Sequence, residues 1–190
     1  MAIVYRYGEN LYINLTNACT NACVFCIRKG NTGLGGYNLW LGEEPSPEDV
    51  FQAVDNEEKF GEAVFCGFGE PLVRPYRVLE ISRGLKKRGW PVRVNTNGHA
   101  ELISSYDIVS DLSQVIDAIS VSLNAQDNPT YQKISNPVFG EKAYPALLDF
   151  SRKAVNKIPD VTLSVVEHPL VDIEECRKKA EKLGAKFRVR

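Results

Sequence analysis

Six short apolar runs, each separated from the next by a helical pattern, constrain this chain more than any other feature. They are LYINLT (11–16), AVFCGF (63–68), VRVNTNG (92–98), DAISVSL (117–123), VTLSVVE (161–167) and KFRVR (186–190). Several are apolar on both faces, as parallel strands buried between layers must be. Residues 46–60 open with Ser46 as an N-cap, Pro47 at the first helical position and Asp49 three after the cap. Residues 75–89 hold Val78, Leu79, Ile81 and Leu85 at helical spacing and stop at Gly89. Residues 144–158 and 172–184 behave similarly, the latter ending at Gly184, and 101–115 predict a less regular helix. Strand, helix, strand, repeated, gives an α/β fold with parallel strands, because a helical crossover returns the chain to run in the same direction. A doubly wound open sheet and a partial barrel both satisfy the pattern. Residues 3–15 predict a short N-terminal hairpin turning at Gly8, Glu9 and Asn10. A length of 190 residues suits one domain, 1–190, with one core.

In either architecture ligands gather beyond the carboxyl ends of the strands. The polar and glycine-rich punctuation falls there: the cysteines after the first run, then GFGEP (67–71), NTNG (95–98), SLNAQ (122–126) and the stretch ending in Glu167, His168 and Pro169. The segment 27–46 is long and glycine-rich for a connection, a pattern that often marks function. Its GLGG has neither phosphate-loop nor dinucleotide spacing. Tyr37 and Trp40 within it serve either as a lid or as packing against the barrel.

The three clustered cysteines carry the chemistry. Cys19, Cys23 and Cys26 follow a C-x3-C-x2-C spacing with Phe25 before the last. The chain starts with no charged leader followed by an apolar run and holds no apolar stretch approaching eighteen residues, so a cytoplasmic location without membrane contact is expected. Thiols stay reduced there, and an odd count of five cysteines fits metal or catalysis better than disulfides. Three thiolates can hold zinc with His99 or His168 as the fourth ligand. They can equally hold an iron–sulfur cluster whose remaining iron is open to a small molecule. Val24, Phe25 and Ile27 would shield such a centre. Cys66 reads as a small core hydrophobe in mid-strand rather than a hydrogen-atom donor, and Cys176 as inert. His168 either faces a substrate or is structural. The net charge of −1 and scattered basic residues give no general attraction to nucleic acid. Runs at 86–88 and 177–179 read as solvated helix faces. Arg28, Lys29, Arg74 and Arg188 could meet an anionic substrate, though each alone reads as solvated or paired.

The motif CTNACVFC (19–26) resembles the cluster motif of the radical S-adenosylmethionine (radical SAM) enzymes, and the resemblance extends over essentially the whole chain. It implies a partial (β/α)6 TIM-like barrel. Within that superfamily the chain is most similar to the TatD-associated radical SAM proteins, through VYRYG (4–8), GYNLWL (36–41), FCGFGEP (65–71), NTNG and FRVR (187–190). More distantly it resembles activating enzymes of glycyl-radical enzymes and 7-carboxy-7-deazaguanine synthase.

The resemblance further implies that Cys19, Cys23 and Cys26 ligate three irons of a [4Fe-4S] cluster. S-adenosylmethionine would chelate the fourth iron. Phe25 would lie near the adenine, and Gly69 and Glu70 would receive the methionyl amino group. The family often carries two adjacent glycines there, where this chain has Gly67-Phe68-Gly69. Ser122 and Asn124 would touch ribose and carboxylate, with Asn97 a neighbour. The implied activity is cleavage of S-adenosylmethionine to a radical that takes hydrogen from an unknown substrate, with an external electron donor of the flavodoxin or ferredoxin type. No catalytic side chain is named by the sequence. Because the sixth strand ends the chain, a large substrate, a partner protein or a second copy is expected to cover the open side. Two other classes compete: an iron–sulfur electron carrier and a zinc-stabilised binding module. Neither needs the polar residues of GFGEP and SLN.

Overall fold

Period-two burial turns the apolar runs into strands, and the helical segments between them set their direction. A computed structural model describes residues 1–59 and 61–190. Phe60, which the sequence places at the end of the first helix, lies outside the described residues. The hairpin forms as expected: β1 (Val4–Tyr7) runs antiparallel to β2 (Asn10–Ile13), with Val4 opposite Ile13. Residues 27–46, expected to be irregular, contain a small ribbon of β3 (Gly33–Leu34) and β4 (Tyr37–Asn38). Then come α1 (Pro47–Asp55), β5 (Ala63–Phe65), α2 (Pro75–Lys87) and β6 (Val92–Thr96). They are followed by α3 (Ala100–Ser104), α4 (Ile108–Leu112), β7 (Ala118–Ser122) and α5 (Asn128–Ser135). The last elements are α6 (Ala143–Lys157), β8 (Asp160–Val165), α7 (Ile173–Leu183) and β9 (Lys186–Val189).

The main sheet orders its strands β1-β2-β5-β6-β7-β8-β9. From β2 onward every neighbouring pair is parallel and follows chain order. A doubly wound sheet must reverse that order at a switch point. None occurs, so the partial barrel is the architecture. Right-handed crossovers put successive helices on one face, and α1 packs on α2, α2 on α4, α4 on α6 and α6 on α7. Val92, Val94, Ile119, Val121, Val161 and Leu163 face those helices in one apolar core. Each such fully buried side chain contributes about 1.5–3 kcal/mol. Because the core lies outside the curved sheet, the alternate positions on the concave face are free to be polar: Arg93, Asn95, Ser120, Ser122 and Ser164.

Local chemistry explains the boundaries. The Ser46–Asp49 capping box is present, each side chain accepting from the other's backbone N–H. The expected helix over 101–115 is instead two short ones, broken at Ser105 with φ 58°. Helix α5 is not foreseen by the sequence reading. It starts where Asp127 accepts from Thr130 N, with Pro129 in the first turn. The strands stop earlier than the apolar runs, at Phe65 and Thr96 for example, so Cys66 to Phe68 and Asn97 lie beyond the ladder. The ribbon segment sits on the barrel: Leu39 is buried with Tyr5 and Phe68, and Trp40 stands edge-on to Phe68 at 5.1 Å. Leu39 supplies that packing, while Tyr37 and Trp40 stay 38% and 41% exposed. Among the described residues no helix is long and apolar enough to cross a membrane.

Candidate functional site

The cysteine loop leaves β2 and is fastened at both ends. Asn14, fully buried, donates to Leu39 O at 2.8 Å. Asn17 exchanges two hydrogen bonds with the backbone of Leu41, at 2.7 and 3.1 Å. Further on, Ala22 N donates to Ser135 O (3.0 Å) and Val24 N to Ile134 O (2.8 Å). Those acceptors are last-turn carbonyls of α5, which a helix leaves without partners. The unforeseen helix therefore gives the cysteine loop its second anchor.

Cys19, Cys23 and Cys26 are half-buried and line one cavity of about 240 Å3. Phe25, Gly69, Glu70, Asn97, Ser122 and Asn124 line the same cavity. So the three cysteines and the six residues named for the nucleotide meet at the carboxyl end of the parallel strands. Burial pushes the Cys19 thiol up to about 11, with Glu70 adding to it, and raises Cys23, with Cys26 adding. A bound cation must displace those protons. Of the three residues expected to shield the thiols, only Phe25 packs on the core; Val24 and Ile27 are about half exposed.

Three thiolates can hold an iron–sulfur cluster, or a zinc ion given a fourth donor. As that fourth donor His99 is spoken for. Its Nδ1 lies 3.1 Å from Thr20 Oγ1 and its Nε2 3.1 Å from the Tyr131 hydroxyl. Burial lowers its pKa to about 4, so it is neutral. His168 Nδ1 accepts from Leu170 N at 3.2 Å, within its own turn.

The segment 67–71 passes directly under the cysteine loop. A Cβ on Gly69 would stand 2.3 Å from Thr16 O and 2.5 Å from Ala18 O, so only glycine fits. Glu70 N donates to Ala18 O at 2.9 Å. The Glu70 carboxylate is buried and accepts from Thr96 Oγ1 (2.7 Å), Asn97 N (2.7 Å) and Leu72 N (3.0 Å). Burial raises its pKa to about 7 against those hydrogen bonds. Asn97 spends its side chain within the chain: Nδ2 donates to Thr20 Oγ1 (2.8 Å) and Oδ1 accepts from His99 N (3.1 Å). Asn124 takes φ 56° and, with Ser122, accepts from Arg190 at 3.2 and 3.3 Å.

Cys66 needs correcting. It is not a core hydrophobe in a strand; it lies one residue past β5 and lines the cavity. Asn21, Asn95, Tyr131 and Arg190 also belong to the site or its support and were missed. Arg190 was legible, since Lys186, Arg188 and Arg190 alternate with Phe187 and Val189. Of the other cations, Arg74 pairs with Glu44 at 2.7 Å and Arg28 donates to Asn17 O at 3.0 Å. Cys176 is buried on α7, away from the cavity lining.

The model of the radical SAM superfamily matches residues 13–183. A probable GTP 3′,8-cyclase of Saccharolobus solfataricus is 31% identical over 164 residues, covering 81% of this chain and 47% of that protein. A putative glycyl-radical enzyme activating enzyme of Methanocaldococcus jannaschii is 30% identical over 107 residues, covering 54% of this chain and 35% of the relative. The chain thus spans less than half the length of either. In fold, Streptococcus suis SuiB bound to the precursor peptide SuiA superposes with a TM-score of 0.69 at 15% identity, covering 98% of this chain and 40% of SuiB. HydG, a maturase of the [FeFe]-hydrogenase, gives a TM-score of 0.65 at 19% identity, covering 95% of this chain and 42% of HydG. With the family model spanning nearly its full length, this chain belongs to the radical SAM superfamily.

Proposed function

We propose that this chain reductively cleaves S-adenosylmethionine and directs hydrogen abstraction from a substrate, with Cys19, Cys23 and Cys26 holding a [4Fe-4S] cluster. Members of the superfamily use that cluster and that nucleotide, which together supply a 5′-deoxyadenosyl radical. The observation that carries the reading is the convergence of three thiols, Glu70, Ser122 and Asn124 on one cavity. Glu70 uses three hydrogen bonds from the chain, leaving lone-pair capacity for an ammonium group. A cation there would pull its raised pKa back down. Ser122 and Asn124 offer uncharged partners for hydroxyls, and Phe25 an apolar surface for a base. Asn97 acts through Thr20 rather than by contact. Among such enzymes we place the chain with the TatD-associated group, in the cytoplasm, served by a flavodoxin- or ferredoxin-like donor.

The sheet ends at β1 and β9, which do not pair. A macromolecular substrate, a partner or a second copy would cover that opening; the peptide bound to SuiB is one precedent in the fold. Full turnover of a small substrate by a lone monomer would exclude such a cover.

The test is anaerobic reconstitution, dithionite reduction and chromatography for 5′-deoxyadenosine. Wild-type protein should be brown and form the product. Alanine at Cys19, Cys23 or Cys26 should abolish both. Glu70→Ala should keep the cluster and weaken S-adenosylmethionine binding about 10-fold or more. Loss of the cluster in that variant would remove Glu70 from the nucleotide site. A colourless protein containing zinc would end the proposal.

A further inference from the structure

The wall of the barrel formed by β7, β8 and β9 presents hydrogen-bond donors with little to donate to. On β9, Phe187 faces the helices, with the Arg177 guanidinium 4.9 Å from its ring centroid. Lys186, Arg188 and Arg190 alternate with it and so project onto the concave side. Most strand cations in this molecule are matched: Arg93 with Glu62 and Lys186 with Asp160. Arg188 and Arg190 have no carboxylate partner among the described residues. Arg190 reaches only the neutral oxygens of Ser122 and Asn124. In register, Arg188 stands beside Ser164, and Ser164 beside Ser122. Ser164 is 1% exposed, and its Oγ has no partner. A buried hydroxyl without a partner is costly to fold around. Such a group, standing in register between the unmatched Arg188 and Ser122, next to a cavity that Arg190 lines, marks a ligand's place.

We propose that Arg188, Arg190 and Ser164 bind an oxyanion, the phosphate or carboxylate group of the substrate. This rests on the proposed radical SAM function and adds the class of substrate. The guanidiniums present planar forks that match the paired oxygens of such a group. Ser164 adds an unpartnered hydroxyl between Arg188 and Ser122 in register. Among the described residues Glu70 is the one carboxylate side chain lining the cavity, and it is held by Thr96, Asn97 and Leu72, so none of those side chains pairs with Arg188 or Arg190. Arg188 and Arg190 are both exposed, so an anion reaches them from solvent, and two residues along the strand set their Cα atoms about 6.6 Å apart.

Equilibrium dialysis of reconstituted holoenzyme against radiolabelled inorganic phosphate and pyrophosphate tests this, with and without saturating S-adenosylmethionine. One saturable site that persists with the nucleotide bound is expected for wild type. Arg188→Gln and Arg190→Gln should each weaken it about 10-fold or more, and Ser164→Ala several-fold. The exposed helix variant Lys178→Gln should leave it unchanged. Arg188 lies on an edge strand, and unchanged circular dichroism of its variant excludes misfolding. Absence of saturable binding, or equal binding by wild type and Arg188→Gln, overturns the proposal. So does competition between phosphate and S-adenosylmethionine, because the anion seated there is then the nucleotide's own carboxylate. Wild-type protein that binds phosphate but forms no 5′-deoxyadenosine sinks the proposed reaction and leaves the anion site standing. The converse result sinks the anion site alone.

Discussion

The two walls of the cavity carry opposite surpluses. On the wall of β2, β5 and β6 with the cysteine loop, polar groups are linked from Glu70 through Asn97 and Thr20 to His99 and on to Tyr131 and Asn21. The buried side-chain atoms without partners there include the acceptors Asn21 Oδ1 and Asn95 Oδ1, which line the cavity, and one donor outside its lining, Arg93 Nε. On the wall of β7, β8 and β9 the cavity lining carries the Arg190 guanidinium, with Arg188 and the unpartnered Ser164 hydroxyl beside it in the sheet. An acceptor-rich wall suits the cationic end of a ligand and a donor-rich wall the anionic end. The difference also separates rigidity from openness: the braced wall fixes the thiols, whereas the far wall ends at a free edge strand.

The largest effect expected from breaking this contrast is at Gly69. Gly69→Ala forces a Cβ against two backbone oxygens, at 2.3 and 2.5 Å, that cannot move without displacing the cysteine loop. Urea unfolding should show a loss of about 3 kcal/mol or more, with poor cluster loading. Stability close to wild type would mean that the segment 67–71 does not support the loop.

How much of this was legible depends on sequence distance. The six-strand repeat was readable because strand and helix periods are local, and the cysteines and Glu70 because their neighbours in the chain define them. Helix α5 was missed because Asn128–Ser135 offers only Tyr131 and Ile134 as an apolar face. Asn21 and Tyr131 are 110 residues apart, and Thr20 and His99 are 79 apart; only the barrel closes those gaps. Cys66 was misjudged by one residue of strand length. Where a strand ends decides whether the next side chain faces the core or the cavity, and boundaries are the weakest part of any pattern argument.

His99 gives the second prediction. Its folded pKa of about 4 lies below the unfolded value, so the unfolded chain binds more protons between about pH 4 and 6.5. Its contribution is complete above about pH 6.5 and is lost as pH falls toward 4. Glu70 acts oppositely: its pKa of about 7 is above the unfolded value, so its contribution is present in acid and is lost as pH rises from about 4.5 to 7. The two windows overlap between about pH 4.5 and 6.5, where the opposite slopes offset each other, so urea midpoints of the cluster-free chain should change little there. His99→Gln removes the His99 slope and should unmask the limb due to Glu70, with midpoints falling as pH rises from about 4.5 to 7. An unchanged flat profile in the variant would show that the brace does not depend on a neutral imidazole.

The smallest effect is the sharpest comparison, because the same chemical deletion is made on each wall. Thr96→Val removes a hydroxyl that donates to Glu70 at 2.7 Å and accepts from Gly98 N at 3.1 Å. Hydrogen bonds to charged groups contribute about 1.5–3 kcal/mol, so this near-isosteric change should cost about 2 kcal/mol in urea unfolding. Ser164→Ala removes a hydroxyl of similar burial that bonds to nothing. With no partner lost and no desolvated oxygen retained, its cost should stay under about 0.5 kcal/mol, or become a slight gain. If the two losses are equal, Ser164 has a partner within the chain and the far wall holds no surplus of donors. If only Thr96 matters, one wall of this barrel is built for stability, and the other keeps an unused hydrogen bond for its ligand.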